Sequence, residues 1–383
     1  MTTIYMIRHA EAEGNLYRIV QGQLNSYITP RGHEQIAALA ERFKDVQLDA
    51  LYSSDLRRTQ TTAGAITKYH DLPMQLDKRL REIDLGVCEG MSFGDMYRFD
   101  PEQMDNFNND PAQWRAEGAE TFDECTRRIL EAVTEIARAN DGKTVAVVSH
   151  GMVTRSILAY LLGVKSRDIP SLPHGDNTAV SKLIYADGKF TVEYYNDNSH
   201  LPPELSTFAR QSWWKKETRG ADPNNLYYLP LDPNEEGRLY TELYAASWRA
   251  VHGDERGFDG QSFLASAKRH YAADKEHALL KAYCSDGTLV GIVECDTQRA
   301  KDEGIGWVSL VYVKEDMRGR GLGTQLIGRA ITNYQMLGRR AVRLHVSSEN
   351  EKALRFYKNL GFETIGSEPA MLAPLYLLEK RFD

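Results

Sequence analysis

Short apolar runs alternate with helix-period stripes along the first 200 residues. Residues 4–7, 48–52 and 145–148 read as strands, the last continuously apolar, as expected of a strand covered on both faces. Between them Ile36, Ala37, Ala40 and Phe43 form one helical stripe, and Phe122, Cys125, Ile129, Val133, Ile136 and Ala137 form another. This alternation predicts a layered α/β domain with helices on both sides of a mainly parallel sheet. Residues 178–185 and 190–195 read as two further strands joined by an Asp187-Gly188 turn.

The periodicity breaks down over residues 196–225, a polar stretch containing Pro202-Pro203. The expected organisation is therefore a domain over 1–205, a linker over 206–225 with a short helix in its middle, and a second domain over 226–383. Trp213 and Trp214 are expected to pack the linker onto one of the domains, with a binding surface as the alternative. In the second half Leu239, Leu243 and Trp248 suggest an early helix. Strands follow over 278–284, 289–295 and 306–313, the first two joined through Ser285-Asp286-Gly287. A helix over 322–335, a strand over 341–346 and a helix over 351–360 complete the pattern, without any internal repeat.

Composition narrows the function classes. The 383 residues carry 47 Lys and Arg against 54 Asp and Glu, and the excess lies wholly in residues 1–200, where 22 basic face 29 acidic residues. No basic face is evident in this balance, so no nucleic-acid partner is expected. No run approaches 18 apolar residues, and the first 15 residues hold Arg8, His9, Glu11 and Glu13 where a signal peptide would need apolar ones. A cytoplasmic protein with no membrane partner is expected. The four cysteines form neither a CxxC pair nor a metal-ligand spacing, so reduced thiols and no structural metal are expected.

Arg8-His9 follows the first strand and His150-Gly151 follows another, so two imidazoles separated by 141 positions are expected to meet at one sheet edge. The neighbouring words are RHAEAEGN, with Asn15; Gln21-Gly22; Thr29-Pro30-Arg31-Gly32 with Gln35; SSDLRRTQTTA, with Arg58; LREIDLGVCEG, with Glu82; and VSHGMVTR, with His150 and Arg155. In this order, over about 200 residues, they resemble the histidine phosphatase superfamily that includes the phosphoglycerate mutases. One departure is Ala10, which stands where the family usually has glycine; a positive φ there would cost about 1 kcal/mol or more.

The resemblance implies a three-layer α/β/α phosphoglycerate mutase-like domain and chemistry through a phosphohistidine. It makes His9 the nucleophile, Glu82 the proton donor and later the base for water, and Arg8, Asn15, Arg58 and His150 the phosphate pocket. Gln21 and Gly22 would contact the substrate, a small phosphorylated metabolite, and no metal would be required. Nothing resembling an inserted cap separates Glu82 from His150, which favours hydrolysis over mutase transfer.

The second half carries MRGRGLGTQLI after a strand and at the start of a helix, where glycines and a helix N-terminus suit a diphosphate. The loop lacks the order of a dinucleotide fingerprint and the Gly-Lys-Ser/Thr ending of a P-loop. With GWVSLVYV before it and HVSSENEKALRFYKNLGF after it, the segment resembles the GNAT acyl-CoA N-acyltransferases. That resemblance implies a C-terminal α/β GNAT fold with acetyl-CoA as co-substrate and an amine as acceptor. It places the pyrophosphate at Arg318, Gly319, Arg320, Gly321, Leu322 and Gly323, and the pantetheine arm at Val311, Tyr312 and Val313. Asn350 would contact that arm, and Tyr357 would protonate the leaving thiolate. Glu294, in VGIVECD, is the expected base, acting directly or through water, although a solvent-facing carboxylate fits the same pattern. Two other readings stay open: a mutase in place of the phosphatase, and a phospho-ligand sensor joined to an acyl-CoA-binding module without turnover. The sequence does not define an oligomeric state.

Overall fold

A computed structural model describes residues 1–211 and 222–382; Trp213 and Trp214 lie outside the described residues. Two compact units emerge. The first comprises residues 1–15, 20–91 and 99–220, and the second comprises residues 16–19, 92–98 and 221–383.

The first unit is built on strands β1 (Thr2–Arg8), β2 (Ala50–Ser53), β3 (Met74–Leu76), β4 (Thr144–Ser149), β5 (Val180–Ala186) and β6 (Lys189–Asp197). They lie in the order β3-β2-β4-β1-β5-β6. The pairs β3/β2, β2/β4 and β4/β1 are parallel, whereas β1/β5 and β5/β6 are antiparallel. The hairpin turn closes because Asp187 and Gly188 both take positive φ, 52° and 77°, which matches the twist of the flanking strands.

Four helices cover this sheet: α1 (Pro30–Phe43), α2 (Arg57–Thr67), α3 (Phe122–Ala139) and α4 (Gly151–Leu161). Thr29 caps α1 by accepting from the Gly32 amide, with Pro30 in the first turn where its missing N–H costs nothing. A reciprocal capping box between Thr121 and Glu124 starts α3. Leu39, Phe43, Ala63 and Ile66 pack with Ile7, Leu51, Ala146 and Val148 in one core. Ile4, Met6, Val145 and Val147 alternate with these strand residues and are fully buried on the opposite face, where α3 and α4 meet β1. Burial on both faces explains why the β4 sequence shows no alternation.

The second unit has strands β7 (Tyr227–Pro230), β8 (Leu279–Tyr283), β9 (Leu289–Asp296), β10 (Ile305–Val313), β11 (Ala341–Ser347), β12 (Glu363–Glu368) and β13 (Leu375–Arg381), in the order β12-β13-β11-β10-β9-β8-β7. Only β10/β11 is parallel. Its helices are α5 (Gly237–His252), α6 (Gly260–Ala273), α7 (Leu322–Met336) and α8 (Glu351–Asn359). The sequence pattern did not indicate β7, β12, β13 or α6. Edge strand β12 reads ETIGSE, with mostly exposed side chains, and α6 buries only Ala267 fully, so neither displays an apolar period.

The β10/β11 pairing runs from Ile305/Ala341 to Val308/Leu344 and then stops, although β10 continues to Val313. An irregularity between Val308 and Leu310 in the β9/β10 pairing marks the same point. Beyond it β10 retains β9 on one side and, among the described residues, has no strand pairing on the other.

Candidate functional site

In the first unit, the parallel register places Arg8 opposite Ser149, so the residues that follow leave the sheet side by side. The His9 amide donates to the Ser149 carbonyl at 3.0 Å, and the rings of His9 and His150 lie 5.3 Å apart, centroid to centroid. His9 Nδ1 is 2.7 Å from the Ala10 carbonyl oxygen. A carbonyl only accepts, so Nδ1 carries the proton and Nε2 holds the lone pair. Burial, followed by the charges of Arg58 and Arg8, holds the His9 pKa well below its ordinary 6.5 and keeps the ring neutral.

Arg58, fully enclosed, donates from Nε to His150 Nδ1 at 3.1 Å and from its terminal nitrogens to the carbonyls of Leu24 (2.8 Å) and Gly22 (2.7 Å). Burial holds its pKa down to about 10. His150 Nε2 in turn lies 2.9 Å from Ser54 Oγ, so both nitrogens of that ring are engaged within the protein. Arg8 reaches the Gly175 carbonyl at 2.5 Å through Nη1, while its buried Nε has no hydrogen-bond partner among the described residues. A Cβ on Gly151 would stand 3.1 Å from that Nε, which explains the glycine after His150.

Glu82 accepts three backbone N–H groups, from Ile83 (3.0 Å), Met152 (2.9 Å) and Val153 (2.8 Å). It thereby caps α4, whose own N-cap residue, His150, makes no side-chain cap. Asn15 Oδ1 accepts from the Ala12 amide at 3.0 Å and lies 3.4 Å from Asn177 Nδ2. Gly22 approaches Glu89 so closely that a Cβ would meet Oε1 at 2.1 Å, and Gln21 lies over Gly14 in the same manner. Ala10 is absent from the positive-φ residues, so it carries no left-handed strain; its amide donates to Thr62 Oγ1 at 2.9 Å.

Several supporting residues escaped the sequence reading. Glu89 gathers the amides of Gly22, Gln23, Leu24 and Leu85 and so shapes the loop that faces Arg58. Its place in LGVCEG was the available signal. Asn177 donates to the His9 carbonyl at 2.9 Å and fixes the backbone of that residue, with nothing in its local sequence to mark it. Glu11 is buried and ion-paired with Arg31, with Thr29 Oγ1 at 2.8 Å, so the TPRG word braces the first loop from behind.

In the second unit the loop before α7 holds Gly319 and Gly321 at φ 79° and 75°, with open space where their Cβ atoms would stand. Among the described residues the amides of Gly319, Arg320 and Gly321 donate to no acceptor. Leu322 and Gly323 open the helix, where backbone N–H groups have no partner in the preceding turn. A Cβ on Gly323 would meet Phe356 and Val313 at ordinary contact distance, 3.6 Å and 3.7 Å. Arg318 ties the loop back to β10 through a 3.0 Å bond to the Val313 carbonyl, and Arg320 reaches Asn224 at 3.0 Å. Val311, Tyr312 and Val313 occupy the stretch of β10 beyond the β11 pairing. These features suit the diphosphate and amide-bearing arm of acetyl-CoA.

Asn350 caps α8 by accepting from the Ala353 amide at 3.1 Å, so its Oδ1 is already committed to the helix. Tyr357 is buried between Phe356 and Phe362, and burial raises its pKa. Glu294 is not solvent-facing: it is buried, with Tyr240 Oη at 2.8 Å and His270 Nδ1 at 2.7 Å. Among the described residues no group of three or more His, Cys, Asp and Glu side chains is arranged to hold a metal ion. No helix there is long and apolar enough to cross a membrane.

Fold and sites together define an enzyme with one phosphoryl-transfer domain and one acyl-transfer domain. The model of the histidine phosphatase superfamily (branch 1) matches residues 4–198, and the chain belongs to that superfamily; the acetyltransferase (GNAT) family model matches residues 239–362, so a GNAT domain follows. A protein named "Putative phosphoserine phosphatase 2" from Hydrogenobacter thermophilus is 28% identical over 52% of this chain and 98% of its own length. A protein named "Probable phosphoglycerate mutase GpmB" from Salmonella choleraesuis is 28% identical over 55% of this chain and its full length. Bacillus stearothermophilus YhfR, a solved structure, is 32% identical and superposes with a TM-score of 0.51 over 52% of this chain and 99% of its own. The first domain carries phosphoryl-transfer or hydrolase chemistry, and the second carries acetyl-CoA-dependent acyl transfer.

Proposed function

We propose that the first domain hydrolyses a small phosphomonoester through a phosphohistidine at His9 and that the second acetylates an amine. The observation that carries the first reading is the Nδ1 contact of His9 to the Ala10 carbonyl, which reserves Nε2 for phosphorus. Nε2 attacks, the P–O bond to the leaving group breaks, and Glu82 gives that oxygen a proton. Water then gives a proton back to Glu82 and attacks phosphorus, and the P–N bond breaks. Arg8, Arg58, His150 and Asn15 hold the phosphoryl oxygens, with Gln21 and Gly22 beside the substrate. Because Arg58 and His150 already engage protein groups, substrate binding requires some of those bonds to be exchanged for bonds to phosphate.

In the second domain acetyl-CoA lies along Val311–Val313 with its diphosphate on residues 318–323, and Asn350 beside the arm uses its amide nitrogen. Tyr357 protonates the departing thiolate, and Glu294, buried on β9, marks the end of the site where the amine loses its proton. Domain limits of 1–205 and 226–383 fit these assignments, and four buried free cysteines suit the cytosol. The relative named as a phosphoserine phosphatase supports hydrolysis; the one named as a phosphoglycerate mutase supports a second reading, transfer to another acceptor.

Rapid-quench trapping of labelled phosphate tests the first domain. We expect an acid-labile, base-stable adduct on His9, with His9→Ala abolishing phosphate release and leaving CoA release intact. Undiminished turnover by that variant removes the phosphohistidine reading, and label moving between substrate positions in place of phosphate release establishes the mutase.

A further inference from the structure

On β9, Glu294 and Asp296 stand two residues apart and so share a face of the sheet, and His270 of α6 lies between them. His270 Nδ1 is 2.7 Å from Glu294 Oε1, and its Nε2 is 3.2 Å from Asp296 Oδ2. Side-chain exposure rises along this row, from 2% at Glu294 to 14% at His270 and 22% at Asp296. The second oxygen of Glu294 accepts from Tyr240. A carboxylate enclosed in this way is poorly placed to meet an incoming amine, whereas the imidazole it holds is not.

We infer that His270 is the base that takes the proton of the acceptor amine, with Glu294 orienting its ring and Asp296 receiving the ammonium group. This assignment deepens the amine-acetylation reading above and rests on it. Glu294 Oε1, accepting from the ring, keeps the proton of a neutral His270 on Nδ1 and the lone pair on Nε2. That lone pair then faces a second acceptor, Asp296. A primary ammonium satisfies both by donating one N–H to Nε2 and another to the carboxylate. Transfer breaks the first N–H bond, forms Nε2–H and leaves a neutral amine beside an imidazolium held between two carboxylates.

The amine lone pair forms the new C–N bond, and the C–S bond breaks as Tyr357 protonates sulfur. The second proton lost from nitrogen as the amide forms replaces the one given by Tyr357. One proton per turnover remains on His270 and leaves past Asp296 to solvent. Position supports the assignment, since Glu294 pairs directly with Leu310, where β10 parts from β11 and the acetyl-CoA stretch begins. The surroundings also favour a strong base. Burial opposes the charge on His270, but the hydrogen bond to Glu294 and the charges of Glu294 and Asp296 outweigh it and raise the pKa, with Arg269 of α6 opposing. From α5, Tyr240 bonds Glu294, and Tyr244 feels the same carboxylate's charge.

The test uses the full-length protein with acetyl-CoA and four probe acceptors: ethanolamine, spermidine, 2-phenylethylamine and a lysine-containing peptide. His270→Gln is expected to lower kcat about 100-fold, the scale of lost general-base catalysis, with acetyl-CoA affinity by calorimetry unchanged. Asp296→Asn should raise KM for the amine. Glu294→Gln should move the acidic limb of the rate profile to lower pH, because the carboxylate that raises the His270 pKa is gone. If Glu294 were itself the base, that limb would vanish, and the assignment to His270 would be overturned. Full activity of a folded His270→Gln protein also overturns it. A parent protein that acetylates none of the probes removes the underlying amine reading as well.

Discussion

Arg58 Nε donates to His150 Nδ1 at 3.1 Å, and because a guanidinium cannot accept, the bond fixes the proton of His150 on Nε2. The Ala10 carbonyl imposes the opposite choice on His9, with the proton on Nδ1. Two neighbouring imidazoles are thus held neutral in different tautomers, and the positive charge of the pocket comes from Arg8 and Arg58. That division suits phosphoryl chemistry: the guanidiniums stay charged at neutral pH, while His9, the proposed nucleophile, keeps its lone pair.

Neutral burial of these rings predicts an acid-sensitive first domain. His9, His150 and His200 all have folded-state pKa values below the ordinary 6.5, through burial first and nearby cationic arginines second, with His200 at about 4. Below pH 6.5 the unfolded chain binds protons that the folded chain refuses, so stability falls with pH. For His200 this loss runs from about 6.5 to about 4, and for the other two it begins at the same upper limit. Thermal unfolding at pH 7.5, 6 and 5 should show a falling Tm for the first domain. His200→Gln should flatten part of the slope; a Tm that does not change across this range would contradict the neutral assignment.

Glu82→Gln should retain an acceptor for the α4 amides while removing the proton that leaves with the ester oxygen. The expected loss in the single-turnover rate of phosphoenzyme formation is about 10²- to 10⁴-fold for an alkyl phosphate, and much less for 4-nitrophenyl phosphate, whose leaving group needs little protonation. Equal losses on both substrates in that step would remove Glu82 as the proton donor to the leaving group.

The two pairs of the candidate site were legible because each sits at the end of an apolar strand, where one dimension of sequence already specifies location. Arg8-His9 and His150-Gly151 fall at such ends, and the neighbouring register of β1 and β4 brings them together. Glu294 was harder to read because β9 is buried on both faces, so its polar residue follows no alternation that marks inside from outside. His270 left no signal at all, being one polar residue on a helix with little apolar period, and its role depends on a contact 24 positions away. Glu89 and Asn177 belong to the same category, since their partners are backbone groups distant in sequence.

Gly321→Val tests the loop before α7. With φ at 75° and open space around the missing Cβ, the cost lies in backbone conformation more than in crowding of the free protein, at about 1–2 kcal/mol for an L-residue. Relaxation of that strain would turn the loop amides away from the diphosphate. Calorimetry should show acetyl-CoA binding weakened at least tenfold, about 1.4 kcal/mol, whereas Gly321→Ala should lie between valine and the parent. An unchanged Kd in folded valine protein would remove the loop from the site.

Tyr357→Phe separates packing from proton donation. The ring lies between Phe356 and Phe362, with centroids 5.1 Å and 5.3 Å away, and phenylalanine preserves both contacts. Burial raises the phenol pKa, so the hydroxyl remains protonated throughout the neutral range and has a proton to give. Its removal should leave acetyl-CoA affinity and α8 intact while slowing expulsion of the thiolate. Because a thiolate departs readily even unprotonated, the loss should fall near the lower end of the range for general acids, about 100-fold. Steady-state kcat is an ambiguous readout, since slow product release masks a chemical defect. The single-turnover rate of CoA formation is therefore the deciding measurement. A rate equal to the parent's would leave Tyr357 as packing for α8, with the thiolate departing without a proton from that hydroxyl.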